Sequence, residues 1–464
     1  GDVYKRQIKI TMTQTVQKKL NDSWGMRWGA LAIVAFTMMA AYYVNDVVAP
    51  LKSMLESDLG WGSSDFGVFT GAYSFLNVFC LMLIWGGLIL DRFGIRFTGK
   101  LATILMVVGT ALEYFAMTGH LGSEGTILGY KSSVFIASSG YAIFGVGAEV
   151  AGITVTKMIA KWFKGKEMAT AMGVQVALAR VGSQAAYAVA IPVARSFELT
   201  TPVLIGLICL VGGLIAFFSF SVLDKKLDRQ LEEDITTSDE EKFSFKDVAT
   251  ILSNPGFWLI ALLCVLFYSC VFPFQKFASE LMITKYGIDE NVAGFFAGLP
   301  ALGALFLTPV FGGMVDKRGK AASIMMFGAA MLIFVHFVYS LPFITSSWIA
   351  IVLMIVLGIA FSLVPSAMWP SVAKIFPAHQ LGTAYALIFF IQNIGLWGIP
   401  TLIGSVLESY CIVGQTESGA NLYDYTLPMT IFTGIAVLSL VIAFALKLAD
   451  KKFGYHLEEA NIRK

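Results

Sequence analysis

The sequence predicts an all-α integral membrane protein whose twelve transmembrane helices form two pseudo-symmetric six-helix bundles. Three observations carry that expectation. Of the 464 residues, 57% are hydrophobic and only 14% charged, with a mean hydropathy of +0.73, far from the balance of a soluble domain. Apolar windows such as "ALAIVAFTMMAAYYV", "VLIGLICLVGGLIAFFSF" and "WIAIVLMIVLGIAFSLV" recur along the chain, each near the roughly 20 residues a span needs. A short glycine, aspartate and basic signature stands at equivalent places in the two halves.

Spans are expected near 27–49, 65–90, 99–118, 133–156, 167–193 and 201–223, then near 256–281, 290–315, 321–342, 346–372, 379–407 and 427–448. We number them 1 to 12. They divide the chain into an N-terminal tail (1–26), a first bundle (27–223), a linker (224–254), a second bundle (255–448) and a C-terminal tail (449–464). The tail has no signal-peptide apolar core. Met12 is a candidate start, and residues 1–11 read as a remnant of sequence assembly.

Even-numbered spans put both termini on one side. Of 33 Lys and Arg, 27 lie in the tails and in the loops after even spans, while Lys52, Lys131, Arg195, Lys276 and Lys285 lie opposite. This bias places the termini in the cytoplasm and leaves Arg180 on neither side. The charged stretch "DKKLDRQLEEDITTSDEEKFSFKDVATILSN" reads as a solvated connector between the halves.

The formal net charge of +2 gives no electrostatic case for nucleic-acid binding. Cys80, Cys209, Cys264, Cys270 and Cys411 are single, with no metal-ligand spacing. No enzyme motif, phosphate-cradling loop or cofactor fingerprint is present, so the expected partners are a small substrate and membrane lipid, with the chain acting as a monomer.

The repeated signature is "GLILDRFGIR" after span 2 and "GGMVDKRGK" after span 8, with Gly87 and Gly312 each four residues before Asp91 and Asp316. Glycine allows close packing and a tight turn, and the charges can bridge helix ends. Two copies in register point to an internal repeat of the kind alternating-access carriers use. Asp91, Arg92, Arg96, Asp316, Lys317 and Arg318 are therefore expected to form a cytoplasmic gate.

Spans 4 and 5 meet at "KWFKGKE". Glu149 and Arg180 are each 15 residues from the Lys164 and Gly165 midpoint, so they lie at equal depth, roughly 20 Å in at 1.5 Å per residue. Charges at that depth cost at least ~2.5 kcal/mol unless they face protein or water. Substrate contact is one reading and a packing ion pair the other, since buried pairs contribute little stability. Arginine's planar fork suits a carboxylate and Glu149 an ammonium, so an amino acid or a dipeptide fits both.

Tyr43, Gln175, Tyr268, Trp369, Gln392 and Asn393 are further candidates for the cavity, with Tyr42 and Asn45. Trp369 stands between Pro365 and Pro370 in a segment that can kink. Asp46 is expected to be wetted by solvent, and Glu113 and His336 to lie toward the outside without a role.

The paired loops resemble the signature of the major facilitator superfamily. Residues 161–183, 257–274 and 364–396, with "WFKGKE", "ARVGS" and "HQLGTAY", resemble its lysosomal dipeptide uniporter branch. That resemblance implies a dipeptide carrier in which the acidic residue on span 4 (Glu149) holds the amino terminus and the basic residue on span 5 (Arg180) the carboxylate. It also implies uniport, with proton symport of peptides, amino acids or organic anions as the alternative. The tail shows no dileucine signal and the predicted outside loops no glycosylation sequon, so the expected location is a microbial cell membrane, a bacterial inner membrane first. A receptor or scaffold would need neither Glu149, Arg180 nor the duplicated loops.

Overall fold

The computed structural model describes residues 19–121, 125–231, 245–416 and 419–460. Residues 1–18, with the candidate start at Met12, and residues 232–244 of the linker lie outside them. Eleven stretches of the described residues are helices long and apolar enough to cross a membrane. They make twelve spans because one helix joins the end of span 2 to span 3, while the start of span 2 is a separate, shorter helix, Ser63–Phe79. Met82–Met117 turns back at Gly94 (φ 72°, ψ 178°), a backbone conformation open to glycine and costly for other residues.

Span 1 is Trp24–Val47 and span 2 starts as Ser63–Phe79. Leu81 breaks span 2 with φ 53°, a conformation rare outside glycine, and the helix resumes at Met82 and runs to Gly94. Span 3 follows to Met117. Spans 4, 5 and 6 are Ser132–Trp162, Met168–Ser196 and Thr201–Leu231. A short helix, Phe245–Leu252, precedes span 7 at Pro255–Thr284. Span 8 is split into Glu290–Ala297 and Leu299–Arg318, and spans 9 to 12 are Ala321–Ser340, Ser347–Ile375, Leu381–Tyr410 and Thr426–Phe453. The loops opposite the termini add a helix, Lys52–Leu59, and two hairpins, Thr126–Ile127 with Tyr130–Lys131 and Ile412–Gln415 with Asn421–Tyr423.

Gly165 takes φ +72° in the turn between spans 4 and 5, which reverses the chain there. On this terminal side Arg27 pairs with Glu167 at 2.8 Å and Lys166 with Asp22 at 2.7 Å. Those cations hold both carboxyls below the usual carboxylate range.

The two halves meet along spans 2 and 11 and along spans 5 and 8. Both seams are closed by glycine, since only a missing side chain lets two backbones approach. A Cβ at Gly67 would sit 2.5 Å from the Pro400 carbonyl oxygen, and one at Gly71 2.5 Å from that of Trp397. Gly404 fits against Ser63 in the same way, and Gly294 and Gly298 fit against Tyr187 and Gln184.

Overpacking such a contact typically costs about 1–3 kcal/mol. Gly71→Leu is therefore expected to lower the thermal unfolding midpoint by a few degrees, whereas Gly434→Leu, at a position with open space, should leave it unchanged. Equal midpoints for the two variants would contradict the seam.

Candidate substrate site

Between the seams lies a cavity of about 480 Å³, within the roughly 300–1,000 Å³ range of small-molecule sites. It runs from Asn45 and Lys276, at its far end, to Gly152, Thr156 and Gln175 nearer the terminal side. Spans 1, 2, 4 and 5 supply one wall and spans 7, 10 and 11 the other.

Glu149 and Arg180 both line this cavity. No ion pair joins them among the described residues, so the packing pair considered from sequence is not formed here. Glu149 Oε1 instead accepts a hydrogen bond of 3.1 Å from the Tyr73 hydroxyl on span 2. The Arg180 guanidinium lies over the ring faces of Tyr42, at 5.5 Å, and Phe361, at 5.0 Å. Two opposite charges thus share one chamber and leave polar edges unused.

Gln175, Tyr268, Trp369 and Gln392 also line the cavity. Trp369 Nε1 donates to the Tyr268 hydroxyl at 3.2 Å, and its ring stacks on Phe389 at 4.9 Å. Gln392 Oε1 accepts from the Cys264 thiol at 3.4 Å. Tyr43 and Asn393 do not line the chamber. Each is one residue from a lining residue, and a step of about 100° around the helix turns it away. Tyr43 donates to the Pro202 carbonyl at 3.2 Å, and Asn393 Nδ2 donates to the Phe389 carbonyl at 2.9 Å.

Asp46 corrects a second expectation. Rather than being wetted by solvent, it accepts from Lys276 Nζ at 2.9 Å, and Lys276 also donates to the Asn45 carbonyl at 2.6 Å. This link joins span 1 to span 7 at the far end of the cavity. Beyond it, Lys52, 1% exposed, pairs with Glu280 at 2.6 Å. Glu280 also accepts from Ser53 and from the Tyr425 hydroxyl. Glu56 accepts from Tyr423 at 2.7 Å and Asn421 Nδ2 at 2.8 Å, and Arg195 pairs with Glu290. Hydrogen bonds and ion pairs between the halves therefore gather on the far side and close the cavity there. Sequence reasoning counted Lys52 and Lys276 only as charges on the side opposite the termini. Their helix-embedded settings, "APLKSMLESDL" and "VFPFQKFASEL", were the available signal.

In the first half, Asp91 and Arg96 of the signature loop make contacts inside their own half. Asp91 pairs with Lys157 at 3.1 Å, and Arg96 pairs with Asp228 at 2.5 Å while lying 3.7 Å from Asp224. Lys161 joins the same acidic pair at 2.9 and 2.5 Å. Arg92 is exposed over the Phe93 ring. Lys317 and Arg318 are exposed at the end of span 8, and Asp316 is partly buried beside them. In the second half Gly319 (φ +67°) packs beneath residues 458–460. Glu113 and His336 are fully buried and outside the cavity lining; His336 Nε2 lies 3.0 Å from the Cys270 carbonyl.

The family model described as Major Facilitator Superfamily matches residues 31–400. The chain belongs to the major facilitator superfamily. It is 29% identical over 395 residues to the human lysosomal dipeptide transporter MFSD1, covering 82% of this chain and 79% of that protein. Among solved structures it is similar to the nucleoside transporter NupG, with a TM-score of 0.70 and 14% identity over 90% of this chain and 98% of that one. It is also similar to a bacterial homologue of the human lysosomal transporter Spinster, with a TM-score of 0.67 and 13% identity over 93% and 98% of the two chains. This superfamily member is thus a multi-pass membrane transporter of a small molecule, not an enzyme.

Proposed function

We propose that the protein carries dipeptides across a cell membrane by alternating access, as a uniporter. The observation that carries this reading is the pair of opposite charges in one cavity, with no ion pair between them. A peptide zwitterion matches both, its ammonium against Glu149 and its carboxylate against the arginine fork of Arg180. The loaded site is then neutral and needs no accompanying ion, which supports uniport. The likeness to a dipeptide transporter favours peptides over single amino acids.

With both termini cytoplasmic, as the distribution of Lys and Arg supports, the far-side closure leaves the cavity accessible from the cytoplasm. Return to the opposite state requires the far-side links to part while Asp91, Arg92 and Arg96, with Asp316, Lys317 and Arg318, close the cytoplasmic end. A bacterial inner membrane is the proposed location.

A thermal-shift screen of the purified protein tests the substrate. Dipeptides should raise the unfolding midpoint and sugars should not, because ligand bound to the native state stabilises it by mass action. Stabilisation by sugars alone would overturn the reading. Uptake into liposomes should be unchanged by an imposed pH gradient, and gradient-driven accumulation would replace uniport with symport.

A further inference from the structure

We propose that Tyr42 and Phe361 are positioning residues for Arg180, two aromatic rings from opposite halves that aim its N–H edge at the peptide carboxylate. The inference rests on the function proposed above and deepens it at one end of the site.

Both rings lie within the ~6 Å over which a cation is drawn to an aromatic face, with Phe361 the nearer at 5.0 Å and Tyr42 at 5.5 Å. Phe361 is 3% exposed and stands edge-on to Phe272 at 5.3 Å and Tyr268 at 6.4 Å. Its own orientation is therefore fixed by packing. Tyr42 comes from span 1 and lines the cavity. Among the described residues no carboxylate pairs with Arg180, so the rings are what holds it.

An aromatic face attracts the guanidinium without using it as a hydrogen-bond donor to a carboxylate or carbonyl, so its N–H groups stay free to meet a carboxylate. An arginine held only by solvent would lose more rotamer freedom on binding. Span 1 and span 10 belong to different halves, so this cradle is complete only while the halves keep their present arrangement. Rocking the halves separates the rings and weakens the hold on the carboxylate, which assists release on the opposite side.

The test compares a dipeptide with its C-terminal amide in liposome transport by the wild type, Phe361→Leu, Phe361→Tyr and Tyr42→Leu. Removing either ring should raise KM for the free acid about threefold to tenfold, with kcat within about twofold. The amide, which offers no carboxylate, should be transported with the same KM by all four proteins. Phe361→Tyr keeps an aromatic face and should behave as wild type.

A parallel loss for acid and amide, an unchanged KM with reduced kcat, or failure of Phe361→Tyr to restore the acid's KM would each overturn the cradle. If the wild type itself does not distinguish acid from amide, the assignment of Arg180 falls and the cradle with it. If Arg180→Ala abolishes that distinction and both leucine variants preserve it, the cradle alone fails.

Discussion

Arg180→Ala is expected to reduce dipeptide uptake into liposomes by at least about thirtyfold. Removing one member of a desolvated charge contact typically costs about 2–5 kcal/mol, or roughly thirtyfold to several thousandfold. The guanidinium faces a cavity and lies against two rings, so a substituted side chain has no neighbouring cation on span 5 to take its place. Arg180→Lys keeps the charge but loses the fork and the stacking face, and should recover only a small part of the activity. The fold should persist in both, since Arg180 forms no ion pair among the described residues. Uptake by Arg180→Ala at the wild-type rate, measured at equal protein per liposome, would remove Arg180 from the site.

Glu280→Ala should shift the protein away from the state closed on the far side. Lys52 and Glu280 are 1% and 3% exposed and 2.6 Å apart, and Tyr425 and Ser53 meet the same carboxylate. Removing one partner of a buried pair costs about 3–5 kcal/mol when the other charge is stranded, and because Lys52 keeps a second carboxylate, Glu56, at 3.9 Å, the cost here falls toward the lower end of that range. That cost falls on the closed state alone, because opening exposes Lys52 to water, so the equilibrium should move by roughly a hundredfold or more.

Labelling reads this directly. A cysteine placed at Thr156, in the cavity toward the terminal side, should react more slowly with a thiol reagent added from that side in Glu280→Ala. Replacing both charges, as Lys52→Met with Glu280→Leu, should restore much of the reactivity, since apolar replacement of a whole buried pair is often neutral. Unaltered labelling in Glu280→Ala would show that this pair does not hold the gate.

The spans and their repeat were legible because the bilayer demands long apolar helices and because Gly87 with Asp91 and Gly312 with Asp316 occupy matching places. For Glu149 and Arg180 the sequence pointed to a common level, since a tight turn makes distance along two antiparallel helices comparable, and both line the cavity. Facing was less legible. Tyr42 lines the cavity and Tyr43 does not, and one residue of helix decides between them with no apolar stripe to mark the inward face.

The far-side gate was hidden for another reason. Lys52 with Glu280 and Lys276 with Asp46 are far apart in the chain and pair only after the two halves dock. Counted one at a time, each is only a charge at or near the far end of a span. The break at Leu81 was also silent, because "FCLML" carries no proline or glycine to announce it. Asp224 and Asp228, which hold Arg96 and Lys161, were read as part of a solvated connector, although span 6 continues through them to Leu231.

The central claim is that one cavity reads both charged ends of a peptide. Competition for uptake of a labelled dipeptide by unlabelled dipeptide, its N-acetyl derivative and its C-terminal amide tests it most directly. The account predicts strong competition by the free dipeptide and at least about tenfold weaker competition by either blocked form. Blocked forms competing as well as the parent would contradict it.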